Sequence, residues 1–279
     1  MAVIQVRFPS RVLGFATAVR VIVPTGWGKE FDSRAFYEDK ERLPVLWLLH
    51  GGSDNYTDWH GCTTVQLLAD EYQIAVVMPD AQNSSYSNMA FGPDWFDYMT
   101  EELPEFIYRR FPVSRERGKN FIAGMSMGGF GTLKIALRYP ERFLAACPIA
   151  SAVQLVDQYV HHTTDERPWF GREFEKIFGH YEHPEELLGS EEDCYFLLER
   201  AMQEGRQLPA LMMAQGTEDF TYQGNKEFYE YATGKGCPIR WVEAPGVHDW
   251  NSWNLYLPMV FAFIREQTEL LQGGKEQEG

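Results

Sequence analysis

Positive charge is what this 279-residue chain has least of: 25 lysines and arginines stand against 40 aspartates and glutamates, a formal net charge of -15. A field of that sign opposes phosphate backbones and anionic membranes, so neither nucleic acid nor a membrane surface is expected as a partner. Long apolar runs are missing too, and none approaches the ~18 residues that a membrane span requires. The opening residues MAVIQVRFPSRVLGF lack the basic start, apolar middle and small-residue cleavage site of a secretion signal. Cysteine is scarce. Cys62, Cys147, Cys194 and Cys237 are far apart, form no C-x-x-C pair and have no histidine at zinc-finger spacing. Reduced thiols in a reducing, cytoplasmic compartment are therefore expected.

What the chain does have is enough apolar sequence for a large core, 44% hydrophobic and 15% aromatic. One domain is expected over residues 1–272, followed by a polar, disordered tail at 273–279. Val3 to Phe8 and Ala16 to Val23 read as two opening strands that pair antiparallel. The short, nearly continuous apolar runs LPVLWLLHGG, IAVVMPDAQ, KNFIAGMS, FLAACPIAS, PALMMAQGTEDF and IRWVEAPGVHDW follow. Continuous rather than alternating hydrophobicity marks strands covered on both faces, as in a parallel sheet. Helical patterns lie between them at Thr63 to Tyr72, Asp94 to Phe111, Met127 to Tyr139, Asn225 to Thr233 and Trp253 to Leu271. The alternation predicts an α/β fold, a mostly parallel doubly wound sheet, with chemistry at the carboxyl ends of the strands.

Those ends carry His50-Gly51-Gly52, Pro79-Asp80, Ser126, Asp219 and His248. Gly124-Met125-Ser126-Met127-Gly128 is G-x-S-x-G between a strand and a helix, the context in which a serine occupies a strained turn and becomes a nucleophile. A serine hydroxyl needs a base, and the base needs an orienting carboxylate. His248 follows a strand and a Pro-Gly turn, and it is the one histidine placed for the task. His50 and His60 precede the serine, and His161, His162, His180 and His183 lie in a polar segment with no strand ahead of them. That segment has no H-E-x-x-H pattern, so no metal site and no cofactor are expected. Asp219 ends the strand PALMMAQG and is preferred to its neighbour Glu218; Asp249, adjacent to His248, would have to curl back. The oxyanion of a tetrahedral intermediate needs donors. Met127 N–H supplies one, and the glycines after VLWLLH supply the other, assigned to Gly52 with Gly51 as the alternative.

The stretches LWLLHGGSDNYTDW, FIAGMSMGGFGTLKIAL, GTEDF and GVHDWNSWNLYL resemble the esterase D branch of the α/β-hydrolases, close to bacterial tributyrin esterases and related to feruloyl and acetylxylan esterases and to S-formylglutathione hydrolase. The four motifs occur in the family order over nearly the whole chain. The resemblance implies an α/β-hydrolase fold, a Ser126, Asp219, His248 triad with Gly52 and Met127 as oxyanion donors, and a short acyl pocket. A small-molecule ester is the expected substrate, acetyl to butyryl in its acyl part, with aryl or sugar alcohols in view. A thioesterase or acyltransferase on the same triad, and a catalytically dead binding module, are the alternatives. Whether the chain forms a homo-oligomer stays open. Residues 154–206 depart from the family pattern and read as a cap or lid excursion bearing Trp169, Phe170, Phe174 and Phe178. Gly51, Tyr86, Trp95 and Trp250 are expected to line the substrate site.

Overall fold

The computed structural model describes residues 1–25, 42–161, 168–179 and 183–278. His162, His180 and the side chains of Trp169 and Phe170 lie outside the described residues. Eight strands form one sheet: β1 (Ala2–Pro9), β2 (Ala16–Val23), β3 (Val45–Leu49), β4 (Ala75–Pro79), β5 (Asn120–Met125), β6 (Ala145–Ile149), β7 (Ala210–Gly216) and β8 (Ile239–Ala244). Their spatial order is β1-β2-β4-β3-β5-β6-β7-β8. The β1–β2 and β2–β4 pairs are antiparallel and every later pair is parallel, as the two opening strands and the continuous apolar runs predict.

Strands β3 to β6 are buried at every position, because helices cover both faces. Successive side chains of a strand point to opposite faces. Val45, Trp47 and Leu49 therefore join one core, with Leu133 and Leu137 of α4 (Met127–Arg138) and Leu197 of α7 (Cys194–Gln203). Leu46 and Leu48 join the other, with Leu68 of α2 (Val65–Tyr72) and Leu257 and Phe261 of α9 (Trp250–Glu278). A short α1 (Asp58–Cys62) precedes α2, and α8 (Tyr222–Gly234) lies between β7 and β8. Among the described residues no helix is long and apolar enough to cross a membrane. The winding direction reverses between β3, whose next strand lies on one side, and β5 on the other. That switch point places Gly52, after β3, next to Ser126, after β5.

Two helical expectations need revision. The helix expected over 94–111, here α3 (residues 95–110), is interrupted by a π-turn at Tyr98–Glu102, where Leu103 N–H reaches back to Tyr98 O. Pro104 follows and has no N–H to continue an ordinary ladder, so the widened turn absorbs the defect. The tail expected to be disordered from residue 273 continues α9 to Glu278, since its Lys, Glu and Gln are good helix formers. Within 154–206 the chain forms α5 (Leu155–His161), α6 (Pro168–Phe178) and α7. Phe174, Ile177 and Phe178 of α6 are buried in the first core beside Tyr159. Further on, Glu192 meets the fully buried Lys134 of α4 at 2.7 Å. Removing one partner of such a buried pair costs about 3–5 kcal/mol, so this contact pins the segment to the helix behind Ser126.

The glycines around Ser126 answer to close contacts. A Cβ on Gly128 would press on the backbone carbonyls of Leu49 and His50, so α4 crosses β3 at a distance only glycine allows. A Cβ on Gly131 would sit 2.5 Å from Tyr86 Cδ2. Gly128→Ala is expected to destabilise the protein by about 3 kcal/mol or more, ~10 °C in Tm, because its obstacle is backbone and not a movable side chain. A thermal melt indistinguishable from the parent would refute the close crossing.

Candidate active site

Ser126 lies between β5 and α4 with φ 55° and ψ -118°, a left-handed conformation that a non-glycine residue adopts only under constraint. Its N–H donates to Ile149 O, and its carbonyl accepts from Phe130 and Ala152 N–H. The strained turn is thus fixed on both sides and presents Oγ to His248. Oγ lies 2.8 Å from His248 Nε2, and Nδ1 of the same ring lies 2.8 and 3.0 Å from the two carboxylate oxygens of Asp219. With Nδ1–H donating to the carboxylate, Nε2 is free to accept the serine proton.

Asp219 follows β7, and its side chain is wholly buried. Burying a carboxylate is costly unless donors surround it. Besides His248, the Thr221 N–H and hydroxyl both donate to Oδ1 at 2.8 Å, and Gln215 Nε2 donates in turn to the Thr221 hydroxyl at 3.0 Å. Glu218 does different work. It accepts from Gly246 N–H, which holds its carboxyl below the ordinary value, and its own N–H donates back to Gly246 O. The pair of bonds clamps the loop that carries His248. Asp249 accepts from Ser252 N–H and so caps α9.

Gly52 lines the cavity at Ser126, whereas Gly51 is buried beneath it, where a Cβ would meet Met125 Sδ at 2.5 Å. Met127 also lines the cavity, and as first residue of α4 its N–H has no intrahelical acceptor. The peptide between Gly51 and Gly52 is oriented from behind. His50 Nδ1–H donates to Gly51 O at 2.7 Å, while Nε2 accepts from Ala81 N–H at 3.0 Å. Both bonds suit the neutral ring, and burial lowers the His50 pKa to match. In front, Asn83 Oδ1 accepts from Ser53 N–H at 2.7 Å, and Ser53 itself is left-handed at φ 67°.

The cavity has a volume of about 280 Å³ and a mostly apolar wall, to which α5 and α6 contribute Leu155, Phe174 and Ile177. Three expected lining residues are not there. Tyr86 and Trp95 have no exposure at all. Tyr86 packs on Gly131 and donates its hydroxyl to His50 O, and Trp95 packs edge-on against Tyr98. Trp250 packs edge-on against Trp59 and Trp253 and is not in the cavity lining. Large aromatics gain more from burial than from a place in an open loop, and Gly51 is the fourth correction. Other polar loop residues serve the backbone: Ser84 accepts from Tyr86 N–H with its hydroxyl and from Ser87 N–H with its carbonyl, and Asp80 Oδ1 accepts from Gln82 N–H, whereas Ser53, Asn83 and Ser85 line the cavity. Sequence reasoning missed Asn83, Thr221, Phe220 and Glu173. Phe220 is 73% exposed and its ring lies 4.4 Å from the His248 ring. Only its place beside Asp219 in GTEDF signals it. Among the described residues no three His, Cys, Asp or Glu cluster as a metal site; His161 pairs with Asp157 on an exposed helix face.

With the geometry in hand, comparison with known proteins is informative. Residues 10–264 match the sequence model of the Esterase family, described as "Putative esterase". An acetyl esterase of Caldicellulosiruptor saccharolyticus is 30% identical over 273 residues, covering 96% of this chain and 100% of the relative. A substrate-bound fluorophosphonate-binding serine hydrolase of Staphylococcus aureus superposes with a TM-score of 0.81 at 30% identity, covering 94% of this chain and 98% of the other. An S-formylglutathione hydrolase of Staphylococcus aureus, solved as the apoenzyme, gives a TM-score of 0.80 at 31% identity over 94% of this chain and 98% of the other.

Two predictions follow from the supports of this site. Asn83→Ala frees the Ser53 loop beside Gly52 and is expected to lower kcat/KM on an ester about tenfold with Tm little changed, while Asn83→Asp, which keeps the acceptor, recovers most of it. Equal losses in the two variants would remove the hydrogen bond from the account. The second concerns Asp54, half-buried against Gly51, whose carboxyl is raised from 3.8 to about 6, first by burial, then by Asp58, with His248 opposing. A raised folded-state value contributes stability that is full below the unfolded value and lost as pH rises through about 6. Asp54→Asn is therefore expected to melt higher than the parent at pH 8, by about 1 kcal/mol after allowing for solvent screening, and to match it near pH 4. An advantage of equal size at both pH values would contradict the assignment.

Proposed function

Since this chain belongs to the Esterase family and is an esterase D-like α/β-hydrolase that hydrolyses carboxylic esters, we propose that it is a serine carboxylesterase of short-chain acyl esters, acetyl to butyryl, acting through an acyl-enzyme. The observation that carries this reading is the 2.8 Å approach of His248 Nε2 to the Ser126 hydroxyl, on a strained turn that opens into the apolar cavity. Ser126 Oγ attacks the ester carbonyl as His248 takes its proton, and the oxyanion is received by Gly52 and Met127 N–H. His248 then protonates the departing alkoxide, leaving the acyl group on Oγ. Water attacks next, giving its proton to His248, and the acid leaves as that proton returns to Ser126. Asp219 holds the imidazole throughout and stabilises its charged form. No step draws on a metal or a cofactor.

A cavity of about 280 Å³ is at the small end for ligand sites, and because acyl and leaving groups share it, its size supports a short acyl group. Each further CH₂ adds about 0.8 kcal/mol only while there is room to bury it. The relative named an acetyl esterase supports the same range. In this reading residues 154–206 act as a cap on a domain of residues 1–272, with α5 and α6 as its cavity-facing wall. Thioester hydrolysis on the same triad is the second reading, favoured by the name of the S-formylglutathione hydrolase relative.

The test has two arms. Ser126→Ala and His248→Ala should each lower kcat by about 10⁴-fold in a folded protein, and Ser126→Ala should lose labelling by a fluorophosphonate probe. On p-nitrophenyl esters, kcat/KM should peak between acetate and butyrate and fall steeply by decanoate. Labelling that persists without Ser126, or an optimum at long chains, would overturn the proposal.

A further inference from the structure

We propose that Glu173 gives the substrate cavity a charge preference, favouring esters and thioesters with cationic or neutral leaving groups over those with anionic ones. This rests on the serine-esterase reading above and deepens it. Helix α6 turns Glu173, Phe174 and Ile177 onto the cavity wall, at the spacing of one helical face. Among the described residues that line the cavity there is no lysine and no arginine, and Glu173 is the single charged one. Its ion-pair partner, Lys176 at 2.7 Å, is one turn along the same helix, half exposed and outside the lining. Water and salt screen such a pair, so it offsets only part of the carboxylate field.

The other polar groups on the wall are neutral. Ser151 is 1% exposed and, among the described residues, its hydroxyl has no hydrogen-bond partner. Gln154 and Gln158 add amides. At the rim, the exposed Phe220 ring stands against His248, the group that protonates the leaving atom. An aromatic face and a carboxylate both attract a cation. Neither offers anything to an anion, which would enter a partly desolvated space without a counter-charge. The second reading is thereby placed at a disadvantage, because its leaving thiol carries net negative charge.

Three thioesters of one acyl group test the assignment: S-acetylthiocholine, S-acetyl-2-mercaptoethanol and S-acetyl-3-mercaptopropionate, followed by thiol release at low ionic strength, each kcat/KM divided by the rate of the same thioester with hydroxide because the three thiols differ in acidity. The parent protein should prefer them in that order, about fivefold per step. Glu173→Gln should raise the ratio of the anionic to the neutral substrate about fivefold, Glu173→Lys should reverse the order, and Lys176→Gln should lower the ratio. A structural role for Glu173 would not move the ratio in opposite directions in the two single-charge deletions. A ratio unchanged by Glu173→Gln overturns the proposal and assigns any charge order to the net field of the chain. If the neutral thioester is not hydrolysed by the parent and no fluorophosphonate label is taken up, the failure belongs to the esterase reading instead.

Discussion

The left-handed backbone of Ser126 is the constraint on which the rest of the site depends. A non-glycine residue at φ 55° costs on the order of 1–3 kcal/mol, and it persists only where its surroundings overdetermine it. Here they do. The Ser126 N–H is bonded to the end of β6, and its carbonyl receives two N–H groups, one from α4 and one from the loop after β6. That geometry lifts Oγ clear of the sheet and aims the first N–H of α4 into the same space. It also forces α4 down onto β3, which is why Gly128 meets the carbonyls of Leu49 and His50 and why Tyr86 occupies the volume a side chain at 131 would need. The glycine-rich sequence follows from one strained residue.

The histidine is positioned by a different principle, restraint from both ends of its loop. Glu218 and Gly246 exchange two hydrogen bonds on one side, and Asp249 caps α9 on the other. Between them His248 projects onto a carboxylate whose buried charge is met by the Thr221 donors as well as by the ring. Charge-assisted bonds of this kind are about twice as strong as neutral ones. The two acidic neighbours that compete with Asp219 in sequence are thus structural supports of the loop, each held by a backbone N–H of its own.

Much of the fold and of the reacting centre is legible in the sequence, for a physical reason. The strands are short apolar runs because both faces are covered, and Ser126, His248 and Asp219 each directly follow one, so local pattern and site coincide. The supporting residues lack that property. Asn83 acts on Ser53 through a contact 30 residues away, and nothing in NSSYS marks which side chain reaches it. Thr221 could be read as an ordinary turn residue. Tyr86 and Trp95 lie in the stretch that follows β4, yet proximity in sequence to a strand end does not set the direction of a side chain. With no exposed face left over, their rings fill the core and the serines around them satisfy backbone.

That inward turn shifts the burden of selectivity. The loops after β3 and β4 give the cavity Gly52, Ser53, Asn83 and Ser85, and the facing wall is built by α5, α6 and Phe220. Helices α5 and α6 come from the segment 154–206, the part that departs from the family pattern, and Phe220 is the residue of GTEDF that lines the cavity. In the proposed mechanism the reaction chemistry resides on rigid strand ends buried under strained turns, where a small displacement costs catalysis. The proposed choice of substrate resides on a helix attached to the core by Phe174, Ile177 and Phe178 and farther along by the Lys134–Glu192 pair. Such a division lets residues 173 and 220 change without disturbing the Ser126 turn, because neither makes a bond to the backbone that fixes it.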